Sequence, residues 1–110
     1  MSRNAALFIL MLAALLEAGG DAIMRHAVHA SYWQRWALLL LGGLVLTAYG
    51  WVVNAPPWDF GRLLGVYVCF FFLFAQLLNW LVFNQKPSLA TMAGGLLILA
   101  GGAVVALSAA

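Results

Sequence analysis

Four long apolar runs divide the sequence, and each is close to the length that crosses a lipid bilayer. A membrane-spanning helix needs about 20 predominantly apolar residues. Runs of about this length cover residues 5–24, 36–54, 62–83 and 89–107. The pattern predicts an all-α membrane protein, in which residues 1–110 form a single domain of four transmembrane helices.

Polar residues and prolines mark the ends of the predicted helices. Arg25 and His26 follow the first run. Pro56 and Pro57 end the second, because proline cannot donate the helical hydrogen bond and disfavours helix in the residue before it. Ser88 is suited to cap the N-terminus of the fourth helix. The connections are short, so we expect successive helices to run in opposite directions.

The composition agrees with a membrane protein and excludes several other classes. The chain has 110 residues, of which 66% are hydrophobic and 7% charged, too few charges to cover a soluble domain of this size. The net charge of +2 comes without a basic cluster that would bind nucleic acid. Cys69 is the single cysteine, and His26 with His29 lack the further ligands that a metal site needs. We expect no metal, no nucleic-acid partner and no enzymatic activity.

Glu17 is the most informative polar residue, because it lies inside the first apolar run. A charged side chain at the centre of a membrane helix costs about 2.5–3.5 kcal/mol on an insertion scale. Desolvation disfavours the charged form, so such a carboxyl group can hold either a proton or a cation. The alternative is a structural acid paired with a basic residue, but no Lys or Arg lies in the middle of any run. We interpret Glu17 as a site of proton and cation exchange.

Asp21 follows one helical turn later and allows two interpretations. It precedes Arg25 by one further turn, in the favourable order for a helical ion pair. If Asp21 instead shares a cavity with Glu17, the two like charges are coupled. The sequence leaves both alternatives open.

Further candidate residues lie in the second and third helices. Gln76 and Asn79 need hydrogen-bond partners at their depth, so they either line a substrate path or join two helices. The rings of Tyr67 and Trp80 offer faces that can hold a cation. The second helix offers Thr47 and Tyr49, and Tyr49 is the better candidate of the two for a hydroxyl group near a carboxylate. The predicted proton- and substrate-binding residues are Glu17, Asp21, Thr47, Tyr49, Tyr67, Gln76, Asn79 and Trp80.

Glycines recur at a spacing of seven residues in the fourth helix. Gly94 pairs in this way with Gly101, and Gly95 with Gly102, so two turns bring each pair back to one face. Small-residue stripes let helix backbones approach closely in lipid. No polar residue lies between them, and we interpret this helix as a dimerisation arm. The alternative is packing within one subunit.

The basic residues give only a weak signal for orientation in the membrane. Arg3 and Arg62 belong to one side, and Arg25, Arg35 and Lys86 to the other. Because basic residues favour the cytoplasmic side, such a small difference permits either a single orientation or insertion in both.

The residues considered so far resemble those of the small multidrug resistance transporters, within the drug/metabolite transporter group. The resemblance covers nearly the whole chain and includes its length and its four helices. Its motifs are L-L-E in the first helix, an F-N-Q-K turn after the third and G-x-L-L-I-x-A-G-x-x-V-V-x-L-S in the fourth. The segment D-F-G-R-L-L-G-V-Y-V is similar to a branch of uncharacterised small inner-membrane proteins related to that family.

The resemblance implies an antiparallel, dual-topology homodimer in the bacterial inner membrane. Such a dimer would exchange protons for small cationic, hydrophobic or guanidinium-like compounds, driven by the proton gradient without a cofactor. Glu17 of each subunit would be the shared proton and substrate site, with Tyr67, Tyr49 and Thr47 near it. Gly94 and Gly101 match the dimerisation stripe of that family.

The chain also departs from that family. Asp21 is an extra acid, and Cys69, Phe70 and Phe71 take the place of the usual glycine hinge in the third helix. Two alternative functions stay open. One is a subunit of a lipid-carrier or headgroup translocase, which would need a different partner chain. The other is a non-transporting membrane protein that modulates a partner through Glu17.

Overall fold

Four α-helices make up the part of the chain that the computed structural model describes, residues 1–108. They are α1 (Arg3–His29), α2 (Tyr32–Val53), α3 (Phe60–Leu81) and α4 (Leu89–Leu107). All four are long and apolar enough to cross a membrane. The prediction of an all-α chain with four such helices is therefore confirmed.

The helix boundaries differ most from the prediction between the first two helices. α1 continues to His29, and α2 already begins at Tyr32, so the connection is much shorter than the gap between the runs 5–24 and 36–54. Polar residues end an apolar run without ending the helix, because the backbone hydrogen bonds do not depend on side-chain polarity. The reversal occurs at Tyr32, whose φ of 58° lies in the left-handed region.

Side-chain caps define the starts of three helices. The Ser88 hydroxyl accepts a hydrogen bond from the backbone N–H of Thr91 at 3.1 Å, which confirms the predicted cap of α4. The Asp59 carboxylate accepts from the backbone N–H of Arg62 at 3.1 Å, so α3 begins at Phe60, before the predicted residue 62. Ser2 caps α1 in the same way. These bonds satisfy backbone donors that the first helical turn leaves free.

The helices pack in the order α2, α1, α3, α4, so that α1 lies between α2 and α3. Gly20 of α1 lies against Leu46, and Gly42 of α2 lies against Met24, so these two helices are antiparallel. The contacts of α3 with α1 and α4 show that successive helices run in opposite directions throughout, as predicted. The Cα atoms extend over 51 × 34 × 18 Å, which makes the subunit flat.

The apolar core forms where α1, α2 and α3 meet. α1 contributes small side chains there, which lets the other two helices approach its backbone closely. The core residues are Leu10, Ala13, Ala14, Val53, Leu63, Val66 and Tyr67. The core therefore begins directly beside Glu17, one turn along α1 from Ala13.

Large apolar side chains cover the outside of the subunit. Trp51 is 84% exposed, Leu97 is 76% exposed and Trp36 is 69% exposed. Exposed apolar surface on this scale is typical of a protein that faces lipid or another apolar chain.

The glycine doublets of α4 are divided between two faces. A Cβ atom at Gly95 would collide with the ring of Phe72, and one at Gly102 with the Cys69 thiol, so both glycines are taken up by packing against α3. Gly94 and Gly101 have nothing within 4 Å of a Cβ position. Packing within one subunit, the alternative interpretation of the stripe, thus describes Gly95 and Gly102, whereas Gly94 and Gly101 lie about 100° further around the helix.

Candidate functional site

Glu17 lies near the middle of α1, on the side that faces α3. The Glu17 side chain is half-buried. Ala13 and Ala14, about one turn before it, are buried, and so is Ala18, the next residue in the sequence. Because these neighbours are small, α3 approaches closely enough for a ring on α3 to reach the carboxylate.

Tyr67 of α3 supplies that ring. Its hydroxyl donates a hydrogen bond to Oε1 of Glu17 at 2.6 Å and lies 3.5 Å from the carbonyl oxygen of Ala13. Tyr67 is only 4% exposed, so little water competes for this bond. A separation of 2.6 Å lies within the range of a direct O–H···O hydrogen bond.

Tyr49 adds a contribution from α2. The centroid of its ring lies 5.8 Å from that of Tyr67, at a tilt of 35°. α1, α2 and α3 thus bring together three residues that the sequence predicted as site residues. The arrangement places a carboxylate beside two aromatic rings, which are groups that can contact a cation.

The arginines nearest the ends of the helices are engaged elsewhere. The guanidinium of Arg25 lies over the ring of Phe83, 5.3 Å from its centroid. Arg35 donates to the carbonyl oxygen of Ala30, and Arg62 stacks on Trp58.

Within residues 1–108, no salt bridge neutralises Glu17. The structural-acid alternative therefore has no basic partner in this part of the chain.

Asp21 opens onto a groove between α1 and α3 with a volume of about 430 Å³. Gln76 and Asn79 of α3 line the same groove. Because Arg25 is directed at Phe83, the ion pair between Asp21 and Arg25 is not formed in the described part of the chain. Ala18, which is next to Glu17 in the sequence, also lines the groove.

Two predicted site residues do not join these groups. Thr47 is exposed, and its hydroxyl donates to the carbonyl oxygen of Gly43 in its own helix at 2.8 Å. It faces away from Tyr49 because two positions along a helix correspond to about 200° of rotation. Trp80 is 54% exposed and is not part of the groove wall.

Phe83 is a residue that sequence reasoning missed. The ring of His26 stacks on it with 5.3 Å between centroids, and Arg25 covers it as well. Together they join the C-terminal end of α1 to the turn after α3, beside the groove. The F-N-Q-K motif marks a turn, but only the parallel packing of α1 and α3 brings α1 against it.

Side chains that bind metal ions are not clustered near these groups in the described part of the chain. Within residues 1–108, no group of three or more His, Cys, Asp or Glu side chains is arranged to hold a metal ion. The chemistry that the site offers is therefore that of one half-buried carboxylate, a neighbouring acid and hydrogen-bonding aromatic or amide side chains.

Known proteins support the assignment to the membrane. A UPF0060 membrane protein of Aeromonas hydrophila is 35% identical over 68 residues, which is 62% of each chain. A UPF0060 membrane protein of Streptomyces coelicolor is 36% identical over 105 residues, which is 94% of this chain and 89% of that one. No solved structure matches the chain.

The four spanning-length helices and these relatives define a multi-helix membrane protein. The family model described as "Uncharacterised BCR, YnfA/UPF0060 family" matches residues 3–110, and the chain belongs to this family. The family is distantly related to the small multidrug resistance transporters, and the matches are to UPF0060 proteins and not to that transporter family proper. The resemblance to a branch of uncharacterised small membrane proteins is thus the closer description.

Proposed function

We propose that the protein is a proton-coupled secondary transporter that exports small cationic, hydrophobic or guanidinium-like compounds. The observation that carries the proposal is Glu17, a half-buried carboxylate in the middle of a spanning helix, held by Tyr67 and without a basic partner in residues 1–108. An ionisable group in that environment is costly to keep, which makes a functional role the default interpretation.

Competition for one carboxylate gives the coupling. A proton that reaches Glu17 neutralises it and releases a bound cation, and loss of the proton restores the charge that binds the next cation. Because both occupants cannot be held together, downhill entry of protons drives the cation outward. Tyr67 and Tyr49 present ring faces beside the carboxylate, which suits a cation with an apolar or planar body.

The transporter is proposed to work as a homodimer of inverted copies in the inner membrane. A flat subunit with a carboxylate near its open side needs a second chain to enclose a passage, and two inverted copies provide access from both sides. Gly94 and Gly101 lie on the open face of α4, where a second copy can approach the helix backbone.

The test uses the full-length protein in liposomes, with proton-coupled currents measured by solid-supported membrane electrophysiology for a panel of organic cations. Glu17→Gln keeps the size of the side chain and its ability to accept from Tyr67, but it cannot exchange a proton. We expect it to abolish coupled currents and Glu17→Asp to retain part of them.

Asp59→Asn is the matched control. It makes the same chemical change outside the membrane, and asparagine keeps the cap of α3. Currents in the Glu17→Gln protein that equal those of Asp59→Asn would contradict the proposal.

A further inference from the structure

We propose that the cleft between the C-terminal end of α1 and the first turns of α2 binds an anionic phospholipid, with the lipid phosphate on Arg35 and an acyl chain along the apolar walls. The cleft has a volume of about 270 Å³. It is lined by Ala27 and Val28 of α1 and by Arg35 and Leu39 of α2. None of these residues belongs to the Glu17 site, so the lipid site is independent of the proposed function.

Arg35 lies at the depth of the lipid headgroups. The apolar run of α2, residues 36–54, begins directly after it and is about long enough to cross the hydrocarbon layer. The Nε atom of Arg35 donates a hydrogen bond to the carbonyl oxygen of Ala30 at 3.1 Å, and Ala30 lies in the connection between α1 and α2. The guanidinium is therefore directed out of the apolar layer, towards the level of the phosphates.

The guanidinium of Arg35 is accessible and already oriented. The residue is exposed, and its two terminal nitrogens donate to no acceptor within residues 1–108. The planar fork of an arginine can donate two parallel hydrogen bonds to a phosphate group. Because the bond to Ala30 restrains the side chain, less conformational freedom is lost when a ligand binds. A phosphate can thus reach two donors without displacing an existing hydrogen bond.

The local charge favours an anionic headgroup. The sequence contains no acid between Asp21 and Asp59. Asp21 lies about 10 Å before Val28 along the axis of α1 and opens onto the groove with α3, not onto this cleft. Asp59 caps α3 at the opposite end of the subunit. Arg35 therefore gives the cleft a positive charge, which attracts a net negative headgroup more strongly than a zwitterionic one.

The walls of the cleft favour a lipid over a free anion. Leu39 lies one turn after Arg35, deeper in the membrane, and Ala27 and Val28 face it from α1. An acyl chain that continues from a phosphate on Arg35 covers these apolar side chains, whereas inorganic phosphate leaves them uncovered. The exposed indole of Trp36 follows Arg35, and tryptophan rings favour the headgroup level.

Native mass spectrometry of the full-length protein, released from detergent micelles, measures the binding of individual lipids. The probes are phosphatidylglycerol, which is anionic, and phosphatidylcholine with the same acyl chains, which is zwitterionic. We expect wild type to bind the first phosphatidylglycerol molecule about tenfold more tightly than phosphatidylcholine. Arg35→Gln should reduce this ratio of affinities towards one.

Two further variants separate the cleft from the general basic surface. Lys86→Gln removes one positive charge from the turn after α3, on the same side of the membrane and outside the cleft, so it should leave the ratio unchanged. Val28→Trp fills the cleft and leaves Arg35 in place, and we expect it to weaken phosphatidylglycerol binding about tenfold. Because Val28 is 62% exposed, this variant should fold even if Arg35→Gln does not.

Three results would overturn the proposal. A ratio near one in wild type would show that the cleft does not select a charged headgroup. Equal losses in Arg35→Gln and Lys86→Gln would assign the selectivity to diffuse charge and not to the cleft. Displacement of phosphatidylglycerol by excess inorganic phosphate, at matched ionic strength, would show an anion site to which the acyl chain contributes nothing.

Discussion

The contact of Gly102 with Cys69 makes a quantitative prediction about how α4 is held. A methyl group added in Gly102→Ala would collide with the Cys69 thiol, which already donates a hydrogen bond to the carbonyl oxygen of Ile98 at 3.3 Å. Overpacking of this kind costs about 1–3 kcal/mol. The variant Gly101→Ala adds the same methyl group to open space and gains helix propensity, worth up to about 1 kcal/mol.

A second substitution isolates the cause. Once Cys69→Ala removes the thiol, the nearest atoms to the new methyl group are the Cys69 Cβ at 3.3 Å and the Gly65 carbonyl oxygen at 3.4 Å. The double variant Cys69→Ala/Gly102→Ala should therefore recover most of the stability lost in Gly102→Ala. A double-mutant cycle gives the coupling energy directly, and we expect about 1–2 kcal/mol.

The assay is unfolding by sodium dodecyl sulfate in mixed micelles, followed by far-ultraviolet circular dichroism. Chemical crosslinking, run in parallel, separates changes in self-association from changes in packing within the subunit. Gly102→Ala and Gly101→Ala proteins of equal stability would refute the assignment of Gly102 to the α3 contact. A double variant as unstable as Gly102→Ala alone would show that the thiol is not the obstacle.

Two further predictions follow from single hydrogen bonds. Tyr67→Phe removes the donor to Glu17, and hydrogen bonds to charged groups contribute about 1.5–3 kcal/mol. We therefore expect proton-coupled currents to fall about tenfold while the circular dichroism spectrum is unchanged. Currents equal to those of wild type would show that the Tyr67 hydroxyl has no role at the site. Ser88→Ala removes the cap of α4 and should lower stability by about 0.5–2 kcal/mol in the same detergent assay, whereas Ser88→Asp should preserve it; no difference between these two variants would contradict the capping role.

The two faces of α4 separate packing within a subunit from contact between subunits. Gly95 and Gly102 receive side chains of α3, whereas Gly94 and Gly101 remain open. Within the subunit, packing against α3 thus occupies one of the two glycine pairs and leaves the other pair uncovered. We therefore expect substitutions at Gly95 and Gly102 to change packing within the subunit, and substitutions at Gly94 and Gly101 to change contact between subunits. The proposed dimer can thus be tested without disturbing the subunit.

The packing order of the helices determines which face of α1 stays uncovered in the subunit. α1, which carries Glu17 and Asp21, is covered by α2 on one side and α3 on the other. Its remaining face, with the exposed Asp21, opens onto the groove. A second chain on the open side would leave the acids inside the assembly and the large apolar side chains outside, which is the distribution that lipid favours.

Much of the architecture was readable from the sequence alone. Apolar runs of spanning length predicted four helices, and the cost of an unpaired acid in lipid drew attention to Glu17 before any contact was known. The cap at Ser88 was equally readable, because it depends on residues within one turn. These features are local, since each follows from the length of a run or from neighbours close in sequence.

Only the tertiary structure decided which residues meet. It placed α1 between α2 and α3, brought the Tyr67 hydroxyl to Glu17, and directed Arg25 to Phe83 instead of Asp21. It also turned Thr47 outward and assigned Gly95 and Gly102 to α3. The physical reason is that nearly every face of these helices is apolar, so hydrophobicity alone does not choose between them. The choice depends on the fit of small and large side chains between helices distant in sequence.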